Sequence, residues 1–387
     1  MILLFVIEFS IFWVDYKVGD KSLIGRILYV VLNMEIAGAQ RMVIDMALYL
    51  KRIGEDIHVL VLSDDPHNHF SKALLDNKIS TRYVNLSNSK IKNSIKRFIA
   101  INEVVKEFKP SIIHSHLDYK YLWVYALLHN VRIVATFHTQ PYRLNTRSFR
   151  FIYTRLVKKR LIIPVNLTKS NAEEFSDLFS TKVEDQVVIP NPIDLSEYRP
   201  LTIRSSDGQI TICFAARFHS IKNHEMLLRA FHKLLETNPD IQLLLAGEGE
   251  TKKDMEYLSE SLGIDNKVRF LGNVSDIPRL LHDVDIGVIS SDSESFSIFL
   301  LECMAVGLPV VLTHVGGMRD IIDGNGIFVN KGNIDQMTDA LKTLVDDRTL
   351  RKKMGEKGLE LVKQYDVSAV GDKYMKLYRN VLETSNK

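Results

Sequence analysis

Two glutamates, Glu294 and Glu302, stand on either side of the start of an apolar run in DIGVISSDSESFSIFLLECMAVGLPVVLTHVGG, residues 285–317. A carboxylate can accept two hydrogen bonds at once, so each suits paired hydroxyls such as the vicinal diol of a ribose or those of a sugar ring. Earlier in the chain Arg217 and Lys222 lie five positions apart in ARFHSIKNHE. Two fixed cations at that spacing suit a diphosphate, whose two negative charges spread over several oxygens. On a bland reading the glutamates are solvated and the cations form surface salt bridges. Glu302 argues against it, because Phe299, Leu300, Leu301, Cys303 and Met304 surround it in the sequence. A carboxylate buried there needs partners. His114 and His116 bracket Ser115 in IIHSHLD, and His138 ends IVATFHTQP. For His114 and His116 a hydrogen-bonded structural role and a site role both remain open. His138 is better placed, directly after an apolar strand, and no third ligand makes the histidines a metal site.

These side chains need strands, loops and helices to hold them. Ile286–Ile289 reads as a buried parallel strand, SSDSES as a loop, and Phe296–Val306 as a helix that Gly307 and Pro309 stop. Pro309–Thr313 is the next strand, and Gly316-Gly317 opens another loop. Glu294 then closes the first loop and Glu302 lies about two turns into the helix. The N-terminus of that helix favours an anion such as phosphate. Ile210–Ala216 forms the strand that delivers Arg217 and Lys222 to a strand-to-helix turn. Ile241–Ala246 runs into Gly247-Glu248-Gly249-Glu250, which lacks the third glycine and the downstream acid of a dinucleotide fingerprint.

The first half repeats the scheme. Strands at Arg26–Leu32, Ile57–Leu62, Arg82–Leu86, Ile112–His114, Ile133–Phe137, Leu161–Val165 and Val187–Ile189 alternate with helical patterns such as Ile91–Phe108 and Tyr119–His129. Such alternation predicts an α/β fold with parallel sheets, whose ligands bind beyond the C-terminal ends of the strands. The loop Ala37-Gly38-Ala39-Gln40 after the first strand is therefore a candidate for contact with phosphate or acceptor. The polar stretch Leu201–Gln209 reads as a linker. The expected organisation is an apolar extension at 1–25, one Rossmann-like domain at 26–198, a second at 199–365, and a final helix within 366–387.

The chain has 387 residues, enough for two cores, and a net charge of +3, which argues neither for nor against nucleic acid. Its two cysteines, Cys213 and Cys303, fall in a predicted strand and helix and fit a reducing, cytoplasmic setting. Met1–Val14 is apolar but shorter than a membrane span of about 20 residues. It also lacks the basic region and cleavage site of a secretory signal. A membrane-surface element and a mis-assigned start codon both fit it. From Arg143 to Arg160 the chain reads RLNTRSFRFIYTRLVKKR, with seven Arg or Lys, no acid, and interleaved Phe149, Phe151, Ile152, Tyr153, Leu156 and Val157. A solvated helix face and a peripheral element docking on anionic lipid both account for it. No base-reading motif or stacking platform accompanies it, so no nucleic-acid partner is expected.

ESFSIFLLECMAVGLPVV resembles the Glu-x7-Glu signature of retaining glycosyltransferases of family 4, which have the GT-B architecture of two Rossmann-like domains facing a central cleft. The other segments follow in order. Arg217 and Lys222 match the cations of the family's Gly-Arg-x-x-x-x-Lys-Gly pattern, with Ala216 and Asn223 at its glycines. Asn191 and Asp194 resemble Asn-Gly-x-Asp, with Pro192 at the glycine, and Ala37 replaces one of two glycines before Gly38. The resemblance implies transfer of a hexose-type sugar from a nucleotide-diphosphate sugar, a UDP-sugar, to a hydroxyl of a lipid-linked glycan. It further implies no metal or other cofactor, and a place in cell-surface polysaccharide synthesis at the inner face of the cytoplasmic membrane. By the same resemblance Arg217, Lys222, Glu294 and His138 carry the catalysis. The donor site adds Gly38, Asn273, Val274, Phe296, Ser297, Ile298 and Glu302, and the acceptor side holds His116, Tyr142 and Asn191. The alternatives are a nucleotide-sugar epimerase of the same architecture and a non-catalytic nucleotide-sugar-binding subunit.

Overall fold

The computed structural model describes residues 23–34, 38–63, 69–116, 120–138, 147–199 and 208–385. The N-terminal extension to residue 22, Ala37, Tyr142 and the start of the basic stretch lie outside the described residues.

Seven parallel strands form the first sheet: β1 Arg26–Val31, β2 Asp56–Val61, β3 Ser80–Tyr83, β4 Ile112–His116, β5 Ile133–Thr136, β6 Ile162–Asn166 and β7 Val187–Val188. Their order is β3-β2-β1-β4-β5-β6-β7. Six more form a second parallel sheet: β8 Ile210–Ala215, β9 Ile241–Ala246, β10 Val268–Gly272, β11 Ile286–Ile289, β12 Val310–Thr313 and β13 Gly326–Val329. Their order is β10-β9-β8-β11-β12-β13. In β1 the run RILYVV explains the arrangement. Ile27, Tyr29 and Val31 join one apolar cluster while Leu28 and Val30 join another. Both faces of the sheet are thus covered, as parallel pairing through helical crossovers requires.

In each sheet the chain starts in the middle, winds outward one way, then returns to wind the other. The crevices this leaves lie between β1 and β4 and between β8 and β11, where doubly wound sheets bind ligands. The loops at these points carry Gly38, Arg217, Lys222 and Glu294. Helix α1 (Gly38–Arg52) leaves the first crevice, and the helix that leaves the second spans Ile298–Val306.

Some boundaries differ from the sequence expectation. The edge strand β3 begins two residues earlier than Arg82, because its register on β2 runs from His58–Ser80 to Val61–Tyr83. A helix at Lys169–Phe179, in a stretch left unassigned above, is capped by Thr168, whose hydroxyl accepts from the Asn171 N–H at 3.1 Å. The last helix, Val367–Ser385, packs on α1 and the first sheet. Tyr49 of α1 donates to Asp372 at 3.0 Å. A Cβ added to Gly371 would lie 2.1 Å from the Tyr49 ring, so only glycine allows that approach. Among the described residues no helix is long and apolar enough to cross a membrane.

Candidate active site

The loops after β8 and β11 are laced together. The Asp292 N–H donates to the Ile221 carbonyl at 2.7 Å, the Asn223 side-chain amide donates to Asp292 at 2.9 Å, and Ser290 donates to the Lys222 carbonyl at 3.0 Å. Asn223 has φ 48°. That left-handed position is one Asn tolerates, which explains how it stands where the resembling pattern has glycine. Next to it His224 is buried and stacks on Phe218, ring centroids 4.1 Å apart. Burial, then the charge of Lys222, pushes its pKa down to about 3. The glycines at 247 and 249 serve the same turn. Their φ values are 142° and 155°, and an added Cβ would lie 2.1 Å from the Ala216 and Phe218 carbonyl oxygens respectively. This Gly-x-Gly lets backbone pass over backbone under the cation loop.

Within this frame Lys222 donates to Glu294 Oε1 at 2.5 Å, with side chains 25% and 9% exposed. Ser291 donates to the same oxygen at 2.8 Å. Arg217 is exposed beyond the end of β8 and makes no ion pair with any described residue.

The helix after Glu294, Ile298–Val306, begins two residues later than the pattern suggested, because Ser297 caps it by accepting from the Leu300 N–H at 3.3 Å. Phe296 and Ser297 are buried beside its start. A Cβ on Gly38 would come 2.8 Å from Ile298 Cγ1. The N-termini of two helices, one from each sheet, therefore abut across the cleft, and both favour an anion there.

Glu302 lies little more than one turn into that helix and is 8% exposed. Its Oε1 accepts from the Tyr198 hydroxyl at 3.2 Å. Burial raises its pKa to about 7, against the opposing influence of Arg41 and the Tyr198 hydrogen bond. Arg41, on α1, pairs with Asp45 at 2.9 Å and with Glu197. Ser291, Tyr198 and Arg41 were not singled out from the sequence. Arg41 carried a usable signal, since a cation in the first turn of a helix opposes the helix dipole and asks for a partner. Nothing in the local pattern marks Tyr198.

The histidines separate into two roles. His114 is fully buried and bonded on both nitrogens, Nδ1 to the Tyr378 hydroxyl at 2.6 Å and Nε2 to Thr136 at 2.8 Å. Tyr29 and Tyr374 extend that network through Tyr378 and Thr136. This histidine is structural. His116 Nδ1 meets His138 Nε2 at 3.2 Å, so one ring donates and the other accepts. The outer nitrogens, His116 Nε2 and His138 Nδ1, find no partner among the described residues. Burial holds His116 well below the usual imidazole range and His138 at about 3, so both are neutral.

Three other expected residues have surroundings of their own. Asn191 is buried, with Oδ1 unpartnered among the described residues, just before Ile193 pairs with Asp366 where the chain crosses back. Asn273 and Val274 line a groove of about 660 Å³ with Leu271, Arg279 and Asp283 at the β10 edge of the second sheet. Among the described residues no three His, Cys, Asp or Glu side chains are grouped to hold a metal ion.

Two parallel doubly wound sheets, with crevices that meet at a cationic cleft, define a protein of the GT-B glycosyltransferase class. Residues 36–197 match the family model described as Glycosyltransferase Family 4, and residues 202–361 match the one described as Glycosyl transferases group 1. The chain belongs to glycosyltransferase family 4. It is 23% identical over 366 residues to a D-inositol 3-phosphate glycosyltransferase of Corynebacterium glutamicum, across 87% of this chain and 84% of that protein. It is 34% identical over 203 residues to glycosyltransferase MJ1607 of Methanocaldococcus jannaschii, a match that spans 49% of this chain and 52% of that protein. In fold it is similar to Anabaena Alr3699/HepE, solved in complex with UDP and glucose, with TM-score 0.79 and 18% identity over 92% of this chain and 100% of that one.

Proposed function

We propose that this glycosyltransferase moves a hexose-type sugar from a UDP-sugar to a hydroxyl of a lipid-linked glycan, with retention at the anomeric carbon, in the building of a cell-surface polysaccharide. The observation that carries the donor assignment is the Lys222–Glu294 pair with the exposed Arg217 at the β8–β11 crevice. As the sugar–phosphate bond breaks, negative charge grows on the diphosphate. Lys222, Arg217 and the helix N-termini at Ile298 and Gly38 stabilise it, the largest electrostatic task of such a reaction. With two cations and two helix ends aimed there, the charge needs no metal ion. Glu294 takes the hydroxyls of the donor sugar, and Glu302 takes the ribose diol. UDP is chosen because the fold neighbour from Anabaena holds UDP and glucose. Retention follows from the resemblance of the Glu294–Glu302 segment. His138, neutral and with Nδ1 unpartnered among the described residues, would stand on the acceptor side and accept a hydrogen bond from the attacking hydroxyl.

A lipid-linked acceptor implies a membrane surface. Helices Lys90–Phe108, Lys120–His129 and Arg147–Lys158 leave large apolar side chains exposed: Ile91, Ile95 and Ile99 on the first, Leu127 and Leu128 on the second, and Phe151 on the third. Lys90, Lys92 and Lys96 flank the first group, and Arg155, Lys158, Lys159 and Arg160 the last. Apolar side chains rimmed by cations suit an anionic lipid face.

The test is a melting-temperature screen of UDP-, GDP- and ADP-sugars, then transfer assays on lipid-linked acceptors with the product anomer read by NMR. Transfer from a UDP-sugar with the α or β configuration kept is expected. Conversion of donor without acceptor would replace the proposal with an epimerase, and nucleotide binding with neither reaction would make the chain a binding subunit.

A further inference from the structure

Glu302 is a buried carboxylate with one hydrogen bond among the described residues, from the Tyr198 hydroxyl to Oε1. Tyr198 is itself 6% exposed, so its phenol has little water to turn to. The segment that carries it is held at several points. The Tyr198 N–H donates to the Leu195 carbonyl at 3.2 Å, closing a turn whose start Asp194 caps through the Ser196 N–H at 3.0 Å. The Leu195 N–H reaches Asp366 at 3.3 Å. Glu197, the neighbour of Tyr198, is pinned by Arg41, which Asp45 also holds. A segment fixed by α1 on one side and by the crossing point near Asp366 on the other thus delivers one hydroxyl to one carboxylate oxygen of the second sheet's helix.

We propose that Tyr198 is a positioning residue for donor recognition, fixing the Glu302 carboxylate so that its remaining lone pairs meet the ribose diol. This rests on the reading of Glu302 as the ribose acceptor. A carboxylate that can rotate, or that takes up a proton, reads a diol poorly, because both hydroxyls must donate to it together. One lone pair of Oε1 is committed to Tyr198, which leaves the other on that oxygen and both on Oε2. The tyrosine donates to the ionised form and so favours it over the neutral acid.

The test compares binding of UDP and 2′-deoxy-UDP by calorimetry to wild type, Tyr198→Phe and Glu302→Ala. The phenylalanine keeps the ring and its packing, and unchanged melting temperature certifies the fold. Wild type should prefer the ribonucleotide by about tenfold or more, as a charged hydrogen bond implies. In Tyr198→Phe that preference should shrink to about threefold or less, through weaker UDP binding with 2′-deoxy-UDP nearly unaffected. An undiminished preference, or equal weakening of both nucleotides, would overturn the role of Tyr198, since packing alone does not distinguish the sugars. A wild type without ribose preference, or a Glu302→Ala variant that keeps it, would instead remove the ribose reading of Glu302 and the proposal with it.

Discussion

Replacing Lys222 by Met tests the electrostatic reading most directly. The ammonium lies 2.5 Å from Glu294 Oε1 in a partly buried pair, 25% and 9% exposed. Two unit charges about 4 Å apart at an effective dielectric of about 20 interact by about 4 kcal/mol. That is a gross figure, because Arg217 and two helix N-termini share the task and water fills part of the gap. The net loss should be that of one charged hydrogen bond, about 1.5–3 kcal/mol. On the rate scale this is roughly ten- to a hundredfold in kcat. The diphosphate is already charged in the ground state, so UDP affinity should weaken as well, by less than kcat falls. The substitution also takes the charged partner from the Glu294 carboxylate, which should lower the melting temperature. A Lys222→Met/Glu294→Gln double variant separates the two effects, since it should recover stability and leave kcat low. Steady-state kinetics with saturating acceptor and a thermal melt give both readings. A Lys222→Met enzyme that folds and keeps kcat within threefold of wild type would refute the assignment of Lys222 to the leaving group.

Glu302→Ala should raise the donor KM by about ten- to a hundredfold with a smaller change in kcat, because the ribose is gripped equally before and during reaction; kinetics over a donor series would show it. Stability should fall as pH drops below about 6.5. His114, His116, His138 and His224 are held neutral by burial, the last two down to about 3, while the unfolded chain takes up their protons near the ordinary value. Glu302 and Asp45, each raised to about 7 by burial, work in the opposite sense, but they are two groups against four. Urea midpoints at pH 7.5, 6.5 and 5.5 would check this, and a flat series would contradict it. Changing Arg155, Lys158, Lys159 and Arg160 together to Ser should abolish flotation with vesicles rich in anionic lipid; unaltered flotation would end the membrane assignment.

The sheets were legible because buried parallel strands announce themselves as unbroken apolar runs. RILYVV, IQLLLA and IGVI need no context to be read. Their C-terminal ends then point to the loops that matter, so Arg217, Lys222 and Glu294 follow from position and charge. Helix starts were read less well. The Ile298–Val306 helix is apolar on all sides, so periodicity could not locate its beginning, and the Ser297 cap decided it. The partners of Glu302 were hidden for a different reason. Tyr198 is 104 positions away and Arg41 farther still, and no local pattern encodes a contact made only when two sheets meet. The histidines show the same limit, since strand ends could not say that His114 would be satisfied by Tyr378, 264 positions on.

That last contact bears on how the protein is made. The strands of the first sheet are translated before those of the second, yet Tyr29, His114 and Thr136 find these hydroxyl partners on a helix that follows both sheets. Through most of synthesis the face built from Ile27, Tyr29 and Val31 lacks Val370, Tyr374 and Tyr378, and offers apolar surface to whatever is nearby. Among the described residues the apolar core around the second sheet takes no member from that helix and can settle first. The first sheet to be translated is therefore the last to be completed.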